Sequence, residues 1–120
     1  MENKEFGLYL EKRTKMFAID IIQLCSVIPY SVESKVIRNQ LTKSATSIGA
    51  NYREANRSRS KADFISKIKI CESESNETVY WLEILSEMNW INYEKAEINL
   101  KEANELLALF TSISNSSKHK

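Results

Sequence analysis

The chain has 120 residues, 42% of them hydrophobic and 28% charged, enough to bury one core without disulfide or metal staples. That composition excludes a disordered or fibrous chain, and a formal net charge of +1 argues neither for nor against a polyanionic partner. The most apolar run, residues 17–28, is interrupted by Asp20 and Gln23 and is too short to cross a membrane.

One proline and two glycines predict long helices joined by short turns. The first residues lack the apolar stretch of a signal peptide, so a cytoplasmic location is expected. A first helix is predicted over residues 4–28, its buried row Leu10, Thr14, Phe17, Ile21, Leu24 and Ile28, ended by Pro29. Ser31 suits the N-cap of a second helix, with Glu33 in the first turn. Its buried row is Ile37, Leu41, Ser44, Ile48, Tyr52 and Ala55, with Ala45 and Gly49 beside it. A glycine within a helix costs about 1 kcal/mol relative to alanine, so Gly49 suggests the close approach of a neighbour.

The second helix is expected to end around residues 56–59. Ser60 and Asp63 have the spacing of a capping box for a third helix running to about Asn89. Phe64, Ile65, Ile68, Cys71, Ser75, Thr78, Val79, Leu82 and Leu85 form its main stripe. A second row, Ile70, Glu74, Glu77, Trp81, Ile84 and Met88, lies about 100° away. Either the helix touches two neighbours, or Trp81 and Ile84 belong to a subunit interface. Asn92 caps a fourth helix with the stripe Ala96, Leu100, Ala103, Leu107 and Phe110, flanked by Leu106 and Ile113. No segment has the period of a strand. The expected fold is an all-α, antiparallel up-down four-helix bundle over residues 1–114, with a disordered tail at 115–120.

Charge is polarised along the chain. Residues 38–69 hold eight basic side chains against two acidic ones, a balance of +6; residues 70–105 hold nine acidic against two basic, a balance of −7. Helix pairing within or between subunits explains this, and so does a nucleic-acid surface. Asn51, Glu54, Glu74 and Glu77 are expected as a polar cluster between helices two and three, with Ser47 and Arg53 or Arg38 as partners. Cys25 and Cys71 are expected as reduced, buried thiols.

Catalytic chemistry finds little footing. A di-iron bundle needs a glutamate three residues before a histidine on each of two helices, and the single histidine is His119. No histidine is placed to activate a serine or cysteine, and no glycine-rich loop is present to cradle phosphates. No enzyme activity, cofactor, metal, small-molecule substrate or membrane association is expected.

Residues 46–55 (Thr-Ser-Ile-Gly-Ala-Asn-Tyr-Arg-Glu-Ala), 59–70 (Arg-Ser-Lys-Ala-Asp-Phe-Ile-Ser-Lys-Ile-Lys-Ile), 77–85 (Glu-Thr-Val-Tyr-Trp-Leu-Glu-Ile-Leu) and 102–107 (Glu-Ala-Asn-Glu-Leu-Leu) together resemble the bacterial four-helix bundle family named for the 23S rRNA intervening sequence. The likeness runs from about Leu10 to Ile113. It implies a ring-like homopentamer and a kinship with the accessory variability protein of diversity-generating retroelements, and it suggests an RNA link. Where many members carry glycine, this chain has Ala55.

Two readings follow. In one, a homo-oligomeric bundle binds RNA or a nucleoprotein through Arg53, Arg57, Arg59, Lys61, Lys67 and Lys69. In the other, an oligomeric scaffold or protein–protein adaptor pairs its basic and acidic segments between neighbouring subunits and has no nucleic-acid role.

Overall fold

The computed structural model describes residues 4–118. Four helices run in chain order: α1 (Lys4–Ser26), α2 (Val32–Ala55), α3 (Lys61–Glu87) and α4 (Tyr93–Lys118). Each packs on the next in sequence and α4 returns to α1, giving an up-down four-helix bundle 46 Å long. The start of α1, the α2–α3 turn and the end of α4 therefore share one end of the molecule.

Helix boundaries follow local chemistry. Before α2, the Ser31 hydroxyl accepts from the Ser34 amide at 2.9 Å and Ser34 Oγ accepts from the Ser31 amide at 2.8 Å, a closed capping box. Ser60 caps α3 by accepting from the Asp63 amide at 3.0 Å, the half of the expected box that uses the serine. Asn92 Oδ1 accepts from the Glu94 amide at 2.7 Å at the start of α4. Asn89, with φ 58°, takes the left-handed position after α3 that asparagine tolerates better than most residues. α1 stops at Ser26 and α3 at Glu87, each two residues earlier than expected.

The C-terminal end differs more. Helix α4 continues through Lys118, although a disordered tail was expected from residue 115. Buried Ile113 and Ser114 anchor the last turns, and extending an existing helix adds a hydrogen bond for each residue fixed. Residues 119–120, His119 included, lie outside the described residues.

All six positions of the predicted α1 row are buried, as are Leu41, Ser44, Ala45, Ile48, Tyr52 and Ala55 of α2. In α4 the centre of the stripe shifts: Leu106 is fully buried, while Leu100 and Leu107 are only partly so. Tyr52 and Phe110 meet edge to face across the core, their centroids 5.5 Å apart.

The α2–α3 seam is closed. The Thr78 hydroxyl lies 2.9 Å from the Ser44 hydroxyl and 2.7 Å from the Glu74 carbonyl, and the Cys71 thiol lies 3.5 Å from the Ile48 carbonyl. Gly49 serves a different seam. A Cβ there would come within 3.0 Å of Thr14 Oγ1 and 3.4 Å of the Thr14 backbone, so this glycine lets α1 approach α2.

Candidate nucleic-acid and partner surfaces

At the α2–α3 turn, Glu11 of α1 is the anchor that sequence spacing did not single out. Its carboxylate accepts from Asn56 Nδ2 at 2.9 Å and faces Arg53 Nε and Arg57 Nη1, each at 3.6 Å. Arg57 also donates to the Arg53 carbonyl at 3.0 Å. Glu11 is 14% exposed and the two arginines mostly exposed, so these long contacts orient the guanidinium groups without neutralising the turn. Arg59 and Lys61 are exposed, and among the described residues no carboxylate lies within 4 Å of either. Beside them a cleft of about 570 Å³ is lined by Leu8, Ala55 and Phe64 together with Glu11, Lys4, Arg57 and Lys61.

The six basic residues do not form one face. Lys67 Nζ donates to Glu54 Oε1 at 2.8 Å, and that hydrogen bond, with the charge behind it, raises the lysine pKa. Lys69, two residues on, stands about 200° round the helix and borders a shallow depression with Glu72, Ser73, Asn76, Leu107 and Thr111. Helical spacing therefore divides the set. Arg53 and Arg57 reach Glu11 of α1 and share a depression with Glu54, Asp63 and Lys67, Arg59 and Lys61 are exposed at the turn, and Lys69 lies on the α4 side.

The polar group expected between α2 and α3 is likewise not one cluster. Asn51 Nδ2 donates to Ser47 O and Oγ on its own helix, at 2.8 and 2.9 Å. Glu54 is exposed and engaged by Lys67. Glu77 accepts from Trp81 Nε1 at 3.1 Å, one helical turn away. Among the described residues no hydrogen bond joins these four side chains to one another; Asn51 and Glu77 are satisfied four residues along their own helices, while Glu54 is held across the seam by Lys67. Burial, then the neighbouring charge of Glu77, raises the Glu74 carboxyl pKa, and Lys43 opposes the shift.

Trp81 and Ile84 lie half-buried on the flank of α3, with Tyr80 packed edge to face on Trp81 at 5.1 Å. A second uncovered strip, not anticipated from the sequence, runs along the outer side of α1 through Leu8, Met16, Ile19 and Ile22. Its signal was present as apolar positions offset from the core row.

Arg13 ties α1 to α4. It donates through Nε and Nη2 to both oxygens of Glu102 at 2.7 Å, to Glu105 at 2.8 Å, and through Nη1 to the Tyr9 hydroxyl at 3.1 Å. The bond to Glu102, the largest of these effects, strengthens the arginine's hold on its proton. Both cysteines are free and buried, and burial pushes Cys71 up to about 12. Among the described residues, no group of three or more His, Cys, Asp or Glu side chains is placed to hold a metal ion, and no helix is long and apolar enough to cross a membrane.

The model of the family described as 23S rRNA-intervening sequence protein matches residues 8–112. The chain is also similar to a protein of unknown function from the S23 ribosomal protein family of Bacteroides thetaiotaomicron VPI-5482, solved by crystallography at 1.70 Å. The two are 38% identical with a TM-score of 0.79, over 87% of this chain and 96% of the other. Among curated proteins none matches.

Proposed function

Because the chain belongs to the 23S rRNA-intervening sequence protein family, we propose that it is a non-enzymatic, self-associating helical bundle of the cytoplasm that binds RNA or a nucleoprotein through its α2–α3 turn. The observation that carries this reading is the turn itself. Arg57, Arg59 and Lys61 are exposed there, Arg59 and Lys61 have no carboxylate within 4 Å among the described residues, and the N-terminus of α3 adds its positive dipole end. Phosphate oxygens are the complementary ligand, and backbone contact of this kind weakens steeply with salt. Arg53 extends the same surface towards α1, and Lys67 borders it in a depression shared with Arg53, Glu54, Arg57 and Asp63; Lys69 stands apart from it.

The test is binding of a structured RNA at low and at physiological salt, for the native protein and for R57E/R59E/K61E. Salt-sensitive binding that the reversed variant loses supports the proposal. Absence of binding at low salt, or binding unchanged by reversal, refutes it. Self-association, into five copies by family likeness, is the second part of the reading, supported by the uncovered apolar side chains of α1 and α3. A strictly monomeric mass by light scattering removes that part.

A scaffold without a nucleic-acid role is favoured by a different observation: Glu11 faces two of the arginines and Glu54 holds Lys67. In that case self-association persists and RNA binding is absent.

A further inference from the structure

Two helix faces that the protomer leaves uncovered carry the same pattern with opposite charge. On the outer side of α1, positions 8, 12, 15, 19 and 22 read Leu, Lys, Lys, Ile, Ile. On the flank of α3, positions 70, 74, 77, 81 and 84 read Ile, Glu, Glu, Trp, Ile, with Met88 continuing the row. Both alternate steps of four and three, the 3.5-residue spacing by which one helix seats against another. Polar residues within such a seam set its register and choose its partner.

Neither row is used up inside the bundle. Leu8, Ile19 and Ile22 are 58%, 36% and 48% exposed; Ile70 and Met88 are 37% and 43% exposed, and Trp81 and Ile84 are half-buried. Among the described residues no ion pair engages Lys12 or Lys15, and none engages Glu74 or Glu77. The two glutamates stand one turn apart as like charges, the less comfortable arrangement on a helix.

We infer that these rows are the two halves of one contact between copies of this chain. α1 of one copy lies parallel to α3 of the next, pairing Leu8 with Ile70, Lys12 with Glu74, Lys15 with Glu77, Ile19 with Trp81 and Ile22 with Ile84. Every position meets one of its own kind or of opposite charge. The reversed alignment also opposes the charges, but it sets Ile22 against Lys67 and Ile84 against Glu5; Met88 lies beyond the paired rows in either alignment. A parallel match suits side-by-side copies, because α1 and α3 start at the same end of the bundle. The paired rows are about 21 Å long at 1.5 Å per residue. Their sequence offset exceeds that between the helix starts, Lys4 and Lys61, by five residues, so neighbours are staggered by about 7.5 Å. The two rows sit on different helices, so the contact is heterologous and each copy keeps a free row for a further one.

This inference rests on the self-association part of the proposed function, and its test separates the two. Mass is measured by light scattering for the native protein, for K12E/K15E, for E74K/E77K and for the fourfold variant carrying both pairs, with far-UV circular dichroism to verify helicity. The altered side chains lie at or near the protomer surface, so helicity is expected to persist. Each twofold variant sets like charges face to face and should weaken assembly at least tenfold; the fourfold variant restores opposite charges and should recover the native mass. If the native protein assembles yet the twofold variants keep its mass, or the fourfold variant stays dissociated, the pairing is wrong and self-association stands. A native protein that is monomeric throughout overturns both.

Discussion

Replacing Gly49 by alanine sets two effects of known size against each other. In an open helical position the change would stabilise by about 1 kcal/mol, because alanine loses less backbone freedom. Here the new methyl would sit 3.0 Å from Thr14 Oγ1, 3.3 Å from its Cβ and 3.4 Å from its carbonyl carbon. Thr14 cannot swing aside, since its fully buried hydroxyl is within 2.8 Å of the Leu10 carbonyl and 3.0 Å of the Glu11 carbonyl. α1 and α2 must therefore move apart, and overpacking of this kind typically costs about 1–3 kcal/mol. The expected balance is a net destabilisation of about 1 kcal/mol, read as a lower urea midpoint with an unchanged slope. The informative measurement is the cycle with Thr14→Ala, which removes the nearest atom. In that background Gly49→Ala should be neutral or stabilising, giving a coupling of about 1–2 kcal/mol. If Gly49→Ala stabilises the native sequence by the full propensity gain, or its effect is the same in both backgrounds, the close α1–α2 approach is not what holds this glycine.

Arg13→Met should destabilise by about 1 kcal/mol, less than a buried charge-assisted pair would give because Glu105 is half exposed, and high salt should narrow the difference from native. Ser75→Ala should stabilise by about 1 kcal/mol in urea unfolding, since its buried hydroxyl has no hydrogen-bond partner among the described residues. Both thiols should resist a thiol-specific reagent in the native protein and react fully in denaturant, because Cys25 and Cys71 are almost completely enclosed. Burial raises Cys71 to about 12, so the native state disfavours its thiolate; stability is full below the unfolded thiol pKa near 9 and falls, by up to about 1.4 kcal/mol per pH unit for this group, as pH rises towards 12. In Cys71→Ala the part of that alkaline slope due to this residue should disappear.

The helix rows were legible because one period decides them. Leu10, Thr14, Phe17, Ile21, Leu24 and Ile28 recur at three and four, and all six are buried. Caps were legible for a related reason: Ser31, Ser60 and Asn92 stand where the period breaks and each accepts a backbone amide. Periodicity assigns a face to a residue but not the helix that face will meet. Gly49 was recognisable as a close approach, yet whether it met α1 or α3 depended on how α2 is rotated in the bundle. The polar residues failed for the same reason. Asn51 and Glu77 each found a partner four residues away, Ser47 and Trp81, before any contact across the seam was needed. Glu11 escaped notice because its importance comes from the α2–α3 turn folding back over α1, an arrangement absent from its own helix.

The polarised charge acquires a mechanical meaning once the rows are set in three dimensions. Few carboxylates are consumed within the protomer, since Glu11, Glu54, Glu102 and Glu105 account for every ion pair formed among the described residues. The acidic row of α3 remains free to meet lysines, and the basic turn remains free to meet phosphates. Under the proposed parallel contact every copy points its Arg57, Arg59 and Lys61 towards the same end of the assembly. A chain of net charge +1 would then present a repeated basic rim, whose weak sites act on one RNA at a high effective concentration. Assembly and RNA binding would be coupled through geometry alone. The consequence is measurable: K12E/K15E, which leaves the turn untouched, should weaken RNA binding in step with its loss of mass, and the fourfold variant should recover both. RNA affinity unchanged in a dissociated K12E/K15E protein would show that a single turn suffices, and the rim would have no role.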